Sequence, residues 1–208
     1  MKAIKLLSVL LLTGCFFTLS GVEQTSGASA SSEVPMCAIL TPEFRITDPP
    51  EYLAGDFHAI LESSLIRNKV RVHNMQSVQE IMRRNRMPGL RRATPAWYSA
   101  IGQLLQVKAL IQSTVTRFEV IETPFTVSET GYRGIHRTGF AEGAIRVIAT
   151  HTGEVLCSIP FRHEFDFRQL DRQVTRNWQI DDYYRYMNEA TIAAIVPELL
   201  KVPELTGK

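Results

Sequence analysis

At Val107 the hydrophobic pattern of this chain changes period, and that change limits the folds open to it. Before it, apolar residues recur at three- and four-residue steps. Leu53, Phe57, Ile60, Leu61 and Leu65 form one stripe, and Trp97, Ala100, Ile101, Leu104 and Leu105 form another. Such spacing puts side chains on one side of a helix. From Val107 to Ile121, and again from Gly139 to Thr150, the chain reads as extended, and Thr152-Gly153-Glu154 turns it into a third run, Val155 to Arg168. Strand residues alternate between two faces, so this half predicts antiparallel hairpins.

Local punctuation supplies the other elements. Cys37 to Phe44 predicts a first strand, closed by Thr47-Asp48-Pro49-Pro50. Asn68-Lys69 ends the first helix and Val70-Arg71-Val72 alternates as a short strand. Val78, Ile81 and Met82 mark a short helix from about Gln76, and Thr94-Pro95 is an N-cap followed by proline at the first helical position. The last helix runs from Asp181 to about Val196 through Tyr184, Met187, Ile192 and Ile195, with Asp181-Asp182 as its N-cap and dipole complement. Pro197 and Pro203 mark its fading end. The order β-α-β-α-α-β-β-β-α gives an α+β class: a mixed sheet of about five strands with helices packed on it.

The N-terminus adds a destination. Lys2 and Lys5 precede the apolar run Leu6 to Leu12, which closes on Leu12-Thr13-Gly14-Cys15. A positive start, an apolar stretch and small residues before a cut describe an export signal. Leu-Thr-Gly-Cys is also a lipobox, in which Cys15 carries lipid and becomes the mature terminus. On that scheme residues 1–15 are signal, 16–36 a flexible leader rich in small polar residues, and 37–208 a single domain. A second scheme cuts at Ala28-Ser29-Ala30 and releases a soluble periplasmic or secreted chain. The run is shorter than the roughly 20 apolar residues of a membrane span. Both schemes export the protein.

Composition then excludes function classes. Losing Lys2 and Lys5 takes the 23 basic residues to 21, against 21 acidic ones. A charge near zero gives no general attraction to nucleic acid. Cys37 and Cys157 allow a disulfide in an oxidising compartment, or two free thiols in apolar surroundings. The five histidines are scattered, and His163, Glu164 and Asp166 lie on a strand whose neighbours face opposite ways. No metal site, cofactor loop or nucleophile–base pair assembles, so a non-enzymatic protein is expected. Arg83, Arg84, Arg86, Arg91 and Arg92 form the densest charge cluster. It suits anionic lipid headgroups, glycan-linked phosphates or an acidic partner face, or equally a solvated helix end.

Three stretches carry a resemblance. They are Val70-Arg71-Val72-His73-Asn74-Met75 after its helix, the helix-to-strand passage Ile101 to Val115, and the hairpin Ile145 to Leu156 turning on Thr152-Gly153-Glu154. Their order resembles the curli-secretion-pore family, and the related domains of penicillin-binding-protein-activator lipoproteins and the TolB N-terminal domain, over Cys37 to Val196. The resemblance implies a binding or assembly module of the cell envelope, held by lipid at the periplasmic face of the outer membrane. Phe16 rather than Asp after Cys15 agrees with outer-membrane retention. Its partners would be envelope proteins, further copies of itself among them.

In the pore family, two amphipathic hairpins leave the sheet to build a barrel. Ile159, Phe161, Phe165 and Phe167 alternate here with Arg162, Glu164, Asp166 and Arg168, and Leu170, Val174, Trp178 and Ile180 could line a returning strand. Against a barrel, His163, Arg172 and Arg176 would face lipid, where a midplane Arg costs about 2–4 kcal/mol. The alternative is a strand with one face on a helix. Two functions are therefore expected: an assembly or secretion subunit, or a regulator that binds a peptidoglycan synthase. The anchor is tested by lipid labelling under globomycin. Wild type should accumulate unprocessed precursor and Cys15→Ala should lose the label; identical processing of both would assign cleavage to Ala30.

Overall fold

The alternating half of the sequence builds the spine of one sheet. The computed structural model describes residues 36–87, 90, 93–170, 175 and 177–207. The first strands, β1 (Met36–Ile39), β2 (Glu43–Phe44) and β3 (Arg71–His73), are short, whereas β4 (Ala109–Thr126), β5 (Arg133–Ala149) and β6 (Val155–Asp166) are long. Among the described residues the strand order is β3-β1-β4-β5-β6, with β2 beside β4 as well. β1 and β2 run parallel to β4, β3 runs parallel to β1, and β4, β5 and β6 form antiparallel hairpins. The expected α+β sheet is present. Its first strand is split in two, because Pro42 has no N–H to give to β4.

The helices cover both faces. On one, α1 (Glu51–Arg67) and α4 (Ile180–Leu199) bury Phe57, Leu61, Leu65, Met187, Ile192 and Ile195 against Ile111, Val115, Ala141 and Ile145. Each such side chain contributes roughly 1.5–3 kcal/mol of burial. On the other, α2 (Met75–Arg84) and α3 (Pro95–Leu105) pack Val78, Trp97, Ile101 and Leu105 with Leu40, Leu110 and Ile148. Thr94 caps α3 as expected, its Oγ1 accepting from the Trp97 N–H at 3.2 Å. The start of α4 differs from expectation. Helix begins at Ile180, and Asp182 reaches back to accept the Gln179 N–H at 2.8 Å. Pro197 also lies inside α4, and a last short helix, α5 (Pro203–Thr206), follows.

Two ends can be told apart. Tyr52, early in α1, donates to Asp181, early in α4, so these helices start together. At the opposite end stand the starts of β1, β3 and β4. Met36 pairs with Arg71, and its carbonyl accepts the Lys108 N–H at 3.0 Å. Pro95 arrives there too. Gly153, at φ +75° in the β5–β6 turn, lies so close that a Cβ would stand 2.0 Å from the Pro95 carbonyl oxygen.

The sheet separates the two cysteines. Cys37 pairs with Ala109 on β4, and Cys157 pairs with Val147 on β5 from its far side. Three strand spacings, about 14 Å, exceed the roughly 7 Å that a disulfide can bridge. Both thiols are free, the second of the two alternatives the sequence allows, and burial pushes Cys37 up to about 12.

One polar set lies inside the first helical layer. His58 of α1 and Asn188 and Thr191 of α4 are fully buried, and their polar atoms have no hydrogen-bond partner among the described residues. Glu62 stands 3.5 Å from His58 Nε2, but burial lowers the ring's affinity for a proton and keeps it neutral. In the unfolded chain the ring charges near pH 6.5. The unfolded state therefore binds more protons below that point, and stability must fall as pH drops. Urea unfolding from about pH 7.5 to 5.5, above the carboxylate range, should show His58→Leu with a flatter profile. The variant should also gain about 1–3 kcal/mol from removing an unpaired buried group.

Candidate functional site

β4 and β5 outlast the rest of the sheet. The final pair that β6 makes is Asp166 with Thr138. Beyond it Glu122–Thr126 and Arg133–Arg137 continue as a two-stranded ribbon. The turn is closed by Val127, whose N–H donates to the Tyr132 carbonyl while its own carbonyl accepts from Gly131, both at 2.8 Å. Gly131 takes the left-handed region there, at φ +66°.

A bare two-strand hairpin is marginal in water, so the ribbon depends on side-chain pairs. Arg137 donates to Glu122 directly opposite it, Nε to Oε1 at 2.7 Å. The Phe125 ring crosses Gly134, where a Cβ would stand 2.6 Å from it, and Tyr132 tilts against that ring at 6.1 Å. Apolar surface remains open: Phe125 is 43 % exposed, Tyr132 62 % and Ile135 54 %. Among the described residues β5 has no outer neighbour beyond Thr138, and β2 leaves β4 after Val115. Both ribbon edges offer backbone groups.

A cleft of about 580 Å³ opens between the ribbon root and the start of α4, lined among others by Phe125, Ile135, Phe167 and Tyr183. Its charges are already matched. Asp166 accepts Arg168 Nε at 2.9 Å on Oδ1 and Nη2 at 2.6 Å on Oδ2, while His136 Nε2 lies 3.0 Å from Oδ1. Arg168 first and His136 second hold this carboxyl well below the usual carboxylate range. Arg137 lies over the Tyr183 ring, 5.1 Å from its centroid, and donates to its hydroxyl at 3.2 Å. Behind it Phe167 and Trp178 meet Tyr183 edge-on at 4.7 and 5.1 Å. Gly139 allows this closeness, since a Cβ would stand 2.6 Å from Met187 Sδ and 3.0 Å from the Phe167 ring.

Paired charges, open aromatics and free strand edges suit recognition of another chain, through side-chain contact or an added strand. Among the described residues no group of three His, Cys, Asp or Glu side chains could hold a metal ion.

The residues singled out from the sequence are dispersed. Phe161 and Phe167 are buried, while Ile159, Phe165 and Trp178 are half-buried against α4, Phe165 meeting Tyr186 at 6.1 Å and Trp178 at 5.7 Å. After Asp166 the described chain makes a 3₁₀ turn, Phe167–Gln169, and Ile180 opens α4; Arg172, Val174 and Arg176 lie outside the described residues. Arg83, Arg84 and Arg86 are exposed at the end of α2, with Arg84 joined to Glu80. Cys15, Arg91 and Arg92 lie outside the described residues. Phe125, Tyr132, Ile135, His136 and Arg137 were not foreseen as a site; the apolar residues flanking Ser128 to Gly131 were the available signal.

No family model and no curated protein matches this sequence. Solved structures do. The lipoprotein GNA1162 of Neisseria meningitidis superposes with a TM-score of 0.52 at 12% identity, over 81% of this chain and 99% of that one. The hypothetical protein CT253 of Chlamydia trachomatis gives 0.51 at 13% identity, over 79% and 95%. The LpoB C-terminal domain of Escherichia coli gives 0.43 at 11% identity, over 68% and 89%, too distant to establish a common fold. The first two share this fold. At such identities the likeness extends no further.

Core and ribbon should separate on mutation. Phe167→Ala should cost about 3–5 kcal/mol in urea unfolding. Ile135→Ser should stay within about 0.5 kcal/mol.

Proposed function

We propose that this chain is an envelope lipoprotein that works without catalysis, presenting the β4–β5 ribbon to a protein partner. One observation carries the reading: the exposed aromatic tip stands at the far end of the strands from Met36, where the leader joins the body. β4 alone has 18 residues, which at about 3.3 Å each span roughly 60 Å. A lipid on Cys15 would hold one end at the membrane and leave the ribbon projecting into the periplasm. The lipobox supports the anchor, and the likeness to a structure described as a lipoprotein agrees with it.

Of the two finer readings, a regulator of a peptidoglycan synthase has the better support. A pore subunit of the curli type would need a second amphipathic hairpin between β6 and the last helix. β6 lays Phe161 in the core on the α4 side with Ile159 and Phe165 half-buried against it, whereas the ribbon tip is open to contact. Binding one partner through an aromatic-tipped strand pair requires nothing more.

Photo-crosslinking from positions 125 and 132 of the lipidated protein in the envelope tests this. An adduct with a peptidoglycan synthase, lost in a Phe125→Ser/Tyr132→Ser/Ile135→Ser chain that melts normally, is the expected result. A ladder at multiples of the protein's own mass would favour the assembly subunit. Crosslinks arising equally from Ile66, exposed on α1, would remove the ribbon from the mechanism.

A further inference from the structure

The end of the body opposite the ribbon carries its own pattern. α1 and α2 finish with the same device, Arg67-Asn68-Lys69 and Arg84-Asn85-Arg86. In each, the asparagine amide donates back to the carbonyl four residues earlier, Asn68 to Ser64 and Asn85 to Ile81, both at 2.8 Å. In each, the following basic residue takes the left-handed region, Lys69 at φ +65° and Arg86 at φ +50°, where glycine or asparagine is usual. The bland account of cations at helix ends is that they serve the last carbonyls. Here asparagine bonds to those carbonyls, and the basic side chains are left exposed.

Topology gathers them. Lys69 precedes Arg71, the partner of Met36, and the Lys108 N–H bonds to Met36. β3 and β4 share one direction through β1, so the α2–α3 connection must return from the end of β3 to the start of β4. Arg83 and Arg86 lie on this returning connection in sequence, and it delivers Pro95 against Gly153 at that same end. Arg91 and Arg92 belong to this connection in sequence. Arg67, Lys69, Arg83, Arg86 and Lys108 are exposed, and no ion pair joins them to a described carboxylate. Among the described carboxylates nearby, Glu154 and Glu189 are exposed, Glu189 lining one shallow groove with Arg67, while Glu80 and Glu198 are engaged by Arg84 and Lys201.

We propose that this basic end docks on an anionic phospholipid surface. The leader fixes the choice of occupant. Residues 16–35 span at most about 70 Å when fully extended, and they join the body at Met36, within the cationic end. Whatever surface holds the N-terminus is thus the surface this end meets first. Headgroup contact would stand the strands away from the bilayer. The inference goes beyond partner binding by the ribbon, and its test needs no lipid on Cys15.

The full chain carrying Cys15→Ala is sedimented with vesicles of phosphatidylglycerol in phosphatidylcholine, and with phosphatidylcholine alone. Each basic residue near such a surface adds roughly fivefold to affinity. Adding Lys69→Gln, Arg83→Gln and Arg86→Gln should therefore weaken binding to the anionic vesicles about a hundredfold. Added salt should have the same effect. A control removing the same charge elsewhere, Arg133→Gln, Arg162→Gln and Arg185→Gln, should bind like its parent. Circular dichroism confirms that both triples fold. Equal losses in the two triples, or binding that ignores phosphatidylglycerol, would overturn the proposal.

Discussion

β4 is paired on both sides only as far as Val115, and the architecture follows from that limit. Up to there β1 pairs with Ala109–Ile111 and β2 with Thr114 and Val115 on one side, and β5 takes the other side, as buried backbone groups require partners. Ala109 to Ser113 are all buried because helices cover both faces. A register shift between Val115 and Arg117 then interrupts the ladder, and the strand loses its parallel neighbours. One strand crosses three surroundings in turn: covered twice, covered once, and bare.

Those surroundings explain what the sequence disclosed. Thr94-Pro95 starts α3 where its chemistry predicts, because capping depends on a few adjacent residues. The stripe through Leu53, Phe57, Leu61 and Leu65 was legible because one face of α1 is buried. His58 was not, since a histidine between Phe57 and Leu61 carries no mark of burial in its own residue type. The outer ribbon was illegible for the opposite reason. With solvent on both faces, Glu122 to Thr126 have no alternation to display, and Pro124 reads as an interruption. A ribbon edge accepts proline wherever its nitrogen faces outward.

The two titratable clusters of the body behave in opposite ways. Asp166 is held as a carboxylate by Arg168 and His136, so the bracing at the ribbon root persists through ordinary acidity. Burial lowers the proton affinity of His58, whose ring nitrogens make no hydrogen bond among the described residues although Glu62 stands 3.5 Å away. The buried layer responds to acid before the root does. A polar group without partners costs about 1–3 kcal/mol, a sizeable share of the 5–15 kcal/mol that holds a domain together.

The continuity of β4 and β5 has a mechanical corollary. Their pairing runs from Ala109 and Ala149 out to Thr126 and Arg133, and the register shift lies on the body side. The projecting part therefore keeps one continuous register. An arm of this length magnifies motion at its base: slight rocking of the helices and sheet becomes a wide sweep of Phe125 and Tyr132. The volume that the tip searches is thus governed by how steadily the body is seated, and any contact that steadies the base aims the arm.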